Sequence, residues 1–269
     1  MKKSILLFTI SIISSSIFTQ TLDDFTVRNI VGEKPVLSYP ELNERDITWQ
    51  KRIWRVIDVR EKINQPFLNP THTFFELLTN AARAGELQLY NIEKDDFSMP
   101  LPMDSVNEIL TVVDTIVDYN YCDWGADGQI NIIQNELNYE DVKRYRLKEI
   151  WYFDNQTSTM KVRILGIAPL IDVHDDNGNF VYEKPLFWVH YPSAREVFAR
   201  SIVFNTGNDS GRMTWEDLFE MRKFSSYIYK ESNVGDMRLS DQFVGLDLLL
   251  KADKIECIIF DYEQNLWSN

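Results

Sequence analysis

Trp49-Gln-Lys-Arg-Ile-Trp-Arg-Val-Ile-Asp-Val-Arg-Glu-Lys-Ile-Asn-Gln-Pro66 is the run whose conformation decides how the first third of the fold is built. At about 100° per residue, Trp49, Ile53, Val56, Arg60 and Ile63 share one face with Ile57 beside them, a spacing that predicts a helix. Arg60 then lies inside an apolar stripe, where its guanidinium must snorkel to water or meet a carboxylate. Arg52, Trp54 and Arg55 project elsewhere and form a cationic, aromatic face. Such a helix is either a core element with a solvated basic side or an interface element, since Trp and Arg are frequent interface anchors. The interface candidates are Trp49, Arg52, Trp54, Arg55 and Arg60. Trp188, on an expected strand, and Trp215, at an expected helix start, join them, and both would serve equally as core.

Before this run the chain carries an export signal. Lys2 and Lys3 precede an apolar stretch from Ile5 to Ile13, then Ser14, Ser15 and Ser16, with cleavage expected near Thr19 or Gln20. The apolar stretch falls short of the ~20 residues that span a bilayer, and no cysteine near the cleavage region offers a lipid attachment point. The expected organisation is a signal peptide at 1–20, an extended arm at 21–40 and a globular region at 41–269, with a subdivision near 120–140. The product would be exported and without direct membrane insertion.

Charge narrows the partners. Lys plus Arg number 28 against 41 Asp plus Glu, and loss of Lys2 and Lys3 makes the net charge of −13 more negative still. Nucleic acid is therefore not an expected partner. Arg45, Lys51, Arg52, Arg55, Arg60 and Lys62 nevertheless cluster in one region, and a basic segment on an acidic body favours head-to-tail contact with copies or with a complementary partner. Cys122 and Cys257, far apart in an exported chain, permit a disulfide without requiring one.

The rest of the chain reads as α+β: a helical amino-terminal part followed by antiparallel hairpins with packed helices. Thr73-Phe-Phe-Glu76 forms a capping box for a helix ending at Gly85, and Ser105-Val-Asn-Glu108 caps a shorter one. Leu87–Ile92 and 112–120 are expected strands. Period-two runs at 146–153 and 160–171 flank a turn at Asp154–Ser158, and Asn177-Gly178 marks a second hairpin. Leu186–Tyr191 adds a strand that Pro192 should end, with Ser193-Ala-Arg-Glu196 capping the next helix. Thr214-Trp-Glu-Asp217 opens another helix, and Ser225–Tyr229 returns to strand. Leu248, Ile255, Ile259, Tyr262 and Leu266 then recur at helical spacing.

Chemistry is sparse. Asp123-Trp-Gly-Ala-Asp-Gly128 has a calcium-loop glycine in register, but Gln134 stands where the bidentate acid belongs. Asp172, His174, Asp175 and Asp176 crowd a hairpin turn, where Asp is favoured for backbone reasons. Asp209-Ser-Gly211 has the outline of a nucleophile loop, with no histidine in a recognisable partner context. No catalytic residue, metal ligand or cofactor site is assigned. A periplasmic hydrolase and a small-ligand-binding protein are the alternative readings.

Several runs together carry a resemblance. Trp49–Asn64, Phe74-Phe-Glu-Leu-Leu-Thr-Asn-Ala-Ala-Arg-Ala-Gly85, Lys148-Glu-Ile-Trp-Tyr-Phe-Asp154, Val162-Arg-Ile-Leu-Gly-Ile-Ala-Pro169, Lys184-Pro-Leu-Phe-Trp-Val189 and Thr214-Trp-Glu-Asp-Leu-Phe-Glu-Met-Arg-Lys-Phe-Ser-Ser226 are similar to the gliding-motility GldN/PorN family. The resemblance implies a non-enzymatic periplasmic subunit of type IX secretion. It would form a ring, self-associating alongside a GldK/PorK-like outer-membrane lipoprotein, and contact a GldM/PorM-like motor component. The family brings no catalytic motif to carry over. The arm before Pro40 is short for this pattern.

Overall fold

The computed structural model describes residues 36–69, 73–118, 129–175, 178–207 and 211–267. The signal peptide, residues 21–35 of the arm, Cys122, the Asp123–Gly128 loop, Asp176, Asn177 and Asp209 lie outside them, as does the first part of the stretch around the expected 120–140 boundary.

Along the chain run β1 (Ile47–Asp58), a 3-10 turn at Lys62–Leu68, α1 (Phe74–Arg83), β2 (Leu89–Tyr90), α2 (Met103–Leu110) and the hairpin of β3 (Thr111–Asp118) with β4 (Gln129–Glu136). Then follow β5 (Val142–Asp154), β6 (Thr159–His174), β7 (Phe180–Pro185), β8 (Trp188–His190), α3 (Tyr191–Arg200), β9 (Ile202–Val203), β10 (Met213–Thr214), α4 (Trp215–Glu220), β11 (Tyr227–Glu231) and α5 (Leu246–Trp267). The class is α+β. Its centre is an antiparallel sheet in the order β11-β1-β5-β6-β8-β2, with β7 also paired to β6.

The opening run is a strand, not the expected helix. β1 lies between β11 and β5, with Ile53 opposite Glu149 and Ile57 opposite Tyr145. Ile47, Thr48, Trp49, Ile53, Trp54, Val56 and Ile57 are β-branched or aromatic, side chains that suit a pleated surface. Ile53 to Ile57 are all buried, so this central strand is covered on both faces and lacks the alternation that would have announced it. With no period-two contrast, the apolar spacing imitated a helical stripe. The expected Trp/Arg helix face therefore does not exist: odd-numbered residues face one side of the sheet and even-numbered residues the other.

Local signals fared better where they were chemical. In the β5–β6 turn the Asp154 carboxylate accepts the Gln156 N–H at 2.9 Å and the Thr157 hydroxyl at 3.0 Å. The β6–β7 turn closes on Asp175, which accepts the Asn179 N–H at 2.7 Å, with Gly178 at φ 80°. Capping boxes at Thr73/Glu76 and Thr214/Asp217 open α1 and α4. Two expected caps are displaced. Pro102 is the N-cap of α2, which leaves Ser105 inside the helix. α3 starts at Tyr191 and takes Pro192 into its first turn, where a missing N–H costs nothing.

Three apolar clusters hold the layers together. On one sheet face, Ile57, Tyr145, Leu147 and Ile167 pack against α1, α3 and α4. Aromatic rings fill the centre, with Phe74 and Trp215 centroids 4.6 Å apart. Ile53 and Ile228 meet Ala252, Ile255 and Ile259 of α5 with Leu248 packed against them; Leu248, Ile255 and Ile259 belong to the helical spacing read from the sequence. The third cluster joins Trp54, Ala168 and Trp188 with Tyr90, Ile92, Phe97 and Tyr229, and no helix contributes to it. There the 91–99 loop lies directly on the strands. Phe97 sits so close to Gly166 that a Cβ would overlap its ring, with Phe97 Cε1 at 2.7 Å.

Candidate interaction surface

β5 presents Arg144, Arg146 and Lys148 at alternate positions, hence on one side of the sheet. This is the side built from cations and rings. Lys230 stands 4.4 Å from the Trp54 ring. Lys148 lies 5.7 Å from Trp54 and 5.4 Å from Phe97. The Arg146 guanidinium lies 4.4 Å from the Tyr229 ring, and Arg238 approaches the same ring at 5.6 Å. Such contacts contribute roughly 0.5–2 kcal/mol each, more where water is excluded.

The three cations of β5 are compensated very differently. Arg144 meets Glu183 at 2.8 Å, Asp172 at 2.9 Å and Asp58 at 3.5 Å. Lys148 meets Asp95 at 3.3 Å, while Asp95 also accepts the Trp54 indole N–H at 2.8 Å. Arg146, between them in register with Val56 and Ala168, makes no ion pair with a carboxylate among the described residues, and Glu183 acts on it only from longer range. It is 9% exposed and its Nε has no hydrogen-bond partner. Burial holds its pKa below the usual guanidinium value.

A latch fastens the described end of the arm. Arg195 donates to the Leu37 carbonyl at 2.8 Å and Arg163 to that of Pro40 at 2.7 Å. Both guanidiniums lie against the Tyr39 ring, at 4.2 and 4.9 Å. The Tyr39 hydroxyl donates to Glu220 at 2.5 Å. Burial, then this bond, pushes the Tyr39 phenol well up.

The sequence candidates scatter rather than converge. Trp54, Trp188 and Trp215 are buried within the chain, and Trp49 stacks on Tyr262 of α5 with centroids 5.1 Å apart. Arg55 is buried and held by the Ser226 carbonyl at 3.1 Å and Glu256 at 3.2 Å. Arg60 meets a carboxylate, donating to both oxygens of Asp58 in its own turn, and it and Arg52 are exposed. Cys257 is exposed on α5 and free. Sequence reasoning missed Arg146, Tyr229 and Arg238. Period two within 146–153 places Arg146 and Lys148 on one face, but nothing local brings β11 beside them.

Apolar surface is also exposed. Leu246, Leu249, Leu250 and Phe260 are exposed on α5, outside the face of Ala252, Ile255 and Ile259, and Phe180, Val181 and Tyr182 stand exposed on β7. Concavities are modest: an open groove of about 540 Å³ lies between α1 and α3, lined by Glu76, Asn80, Glu86 and Arg200 among others. Glu76 is occupied by its capping box and Glu86 by Arg200 at 3.6 Å. His190 Nδ1 and Ser193 Oγ meet at 3.1 Å in the first turn of α3. Burial depresses the imidazole pKa. Among the described residues no three His, Cys, Asp or Glu side chains stand close enough to hold a metal. No helix among them is long and apolar enough to cross a membrane.

The family described as gliding motility associated protein GldN matches residues 42–268, from just before β1 to the end of α5. The chain belongs to the GldN family. As a GldN protein it is a component of the gliding-motility machinery. No curated protein matches the chain. The match spans every layer described above, so the GldN pattern belongs to the whole fold and not to one local motif.

Proposed function

We propose that this chain is a non-enzymatic subunit of the type IX secretion and gliding apparatus. In this reading it is exported to the periplasm by its 1–20 signal. There it assembles into a ring with a GldK/PorK-like outer-membrane lipoprotein and faces the periplasmic part of a GldM/PorM-like motor component. The observation that carries the reading is the near full-length match to GldN. The surface supports it: exposed leucines and Phe260 on α5 and exposed rings on β7 are features that protein partners cover. A strongly acidic body with localised basic residues suits heterologous contacts, which close into rings when the rotation permits.

Deletion of the gene tests this. Loss of protein export across the outer membrane, with the tagged protein recovered in the periplasmic fraction of the complemented strain, is the expected result. Unimpaired export, or a cytoplasmic location, would overturn it.

A further inference from the structure

From the arrangement of Arg146, Tyr229 and Arg238 we infer a carboxylate-binding clamp at the rim of the cation–aromatic sheet face, built to receive an acidic side chain of a partner protein. The inference goes beyond the ring reading, since such a clamp would serve any acidic protein segment.

Two independent features point to it. The first is the isolation of Arg146. Its neighbours along β5 are matched by carboxylates, Arg144 by three and Lys148 by one. Arg146 is flanked across the sheet by apolar Val56 and Ala168 and makes no ion pair among the described residues. Its Nε is buried without an acceptor. A guanidinium so placed keeps its charge at a cost that an incoming anion would offset.

The second feature is Arg238, which is exposed and approaches the same Tyr229 ring at 5.6 Å. It has no carboxylate within ion-pair reach among the described residues. Asp241 accepts its backbone N–H at 2.9 Å, and nearby Asp236 is occupied by Lys230 at 2.5 Å. One ring thus carries two guanidiniums, one sunk in the sheet and one at its rim. Guanidinium forks match the planar, two-oxygen geometry of a carboxylate.

The surroundings select a monoanion. Glu183, Asp58 and Asp172 surround the adjacent Arg144, so a dianionic phosphate would meet more repulsion than a single carboxylate. Tyr229 and the half-buried surface around it offer the apolar contact that the stem of a Glu side chain makes.

The test uses the full mature chain, its arginine Nε–Hε resonances assigned by NMR. The probes are an end-capped tetraglutamate peptide, its tetraglutamine counterpart and inorganic phosphate. Tetraglutamate should shift the Arg146 and Arg238 signals saturably. Tetraglutamine, and phosphate at equal concentration, should leave them in place. Affinity for tetraglutamate should fall at least tenfold in Arg146→Gln and in Arg238→Gln. The second variant, at an exposed position, keeps the test valid if the first unfolds. Unmoved arginine signals, equal shifts with phosphate or tetraglutamine, or undiminished affinity in Arg238→Gln would overturn the clamp.

Discussion

Replacing Arg222 by Met should strongly destabilise the chain. Glu149 is 0% exposed in the middle of β5. It accepts Arg222 Nη1 at 2.8 Å and Nη2 at 3.4 Å, and the Trp151 indole N–H at 3.0 Å. Removing the guanidinium leaves a buried carboxylate with one donor. Breaking a buried pair in this way costs ~3–5 kcal/mol. The surviving Trp151 bond and the 27% exposure of Arg222 place the expected loss near the lower end, about 3 kcal/mol. For a chain of this size that is a fall in Tm of roughly 6–12 °C. Met is the right replacement because Arg222 has φ 51°, and Gly would relieve backbone strain and mask the electrostatic loss. Glu149→Leu alone should cost a similar amount. The double variant should recover most of the loss, because replacing both partners by apolar groups removes the unpaired charge. Thermal unfolding by circular dichroism, run on all four proteins as a double-mutant cycle, measures this. A shift under about 3 °C for Arg222→Met, or strict additivity, would refute the reasoning.

Gly166→Ala should cost about 2 kcal/mol by overpacking, since its Cβ would displace Phe97 from between Tyr90, Trp188 and His190. The same change in a Phe97→Ala background should cost much less, and limited proteolysis at 91–99 reports the released loop. Asp154, bonded to Lys161 and to its own turn, is held down to about 2 from an ordinary value of 3.8. Its contribution is therefore complete above pH ~4 and lost as pH falls through ~2. Asp154→Asn should flatten the dependence of stability on pH in that window, measured by denaturant unfolding. Thr73→Ala, which removes the α1 capping box, should cost about 1 kcal/mol in the same measurement. Arg60→Glu removes a partner of Asp58 and sets a like charge beside it, so Tm should fall modestly with the chain still folded, while copurification with partners falls. Undiminished copurification would remove Arg60 from the interface.

What could be read from the sequence was what is local and chemical. The Asp154–Ser158 turn, the Asn177-Gly178 hairpin and the boxes at Thr73 and Thr214 depend on side chains within four residues of the backbone they bond. The α5 register was legible because Ala252, Ile255 and Ile259 pack on one side. β1 was misread because burial on both faces erased its alternation. The helix candidates at Ser105 and Ser193 were real helices with misplaced starts, since Pro102 and Pro192 occupy their N-termini. The cation–aromatic face was not legible, because Arg146, Val56, Ala168 and Tyr229 become neighbours only through the pairing of β11, β1, β5 and β6. Whether a charged residue finds its counter-ion is a property of that long-range pairing.

Affinity purification of this protein from gently solubilised envelopes, with partners identified by mass spectrometry and particles imaged by electron microscopy, addresses the central claim most directly. The account predicts rings containing an outer-membrane lipoprotein. A lone monomer, recovered under conditions that keep the lipoprotein intact and present, would contradict it.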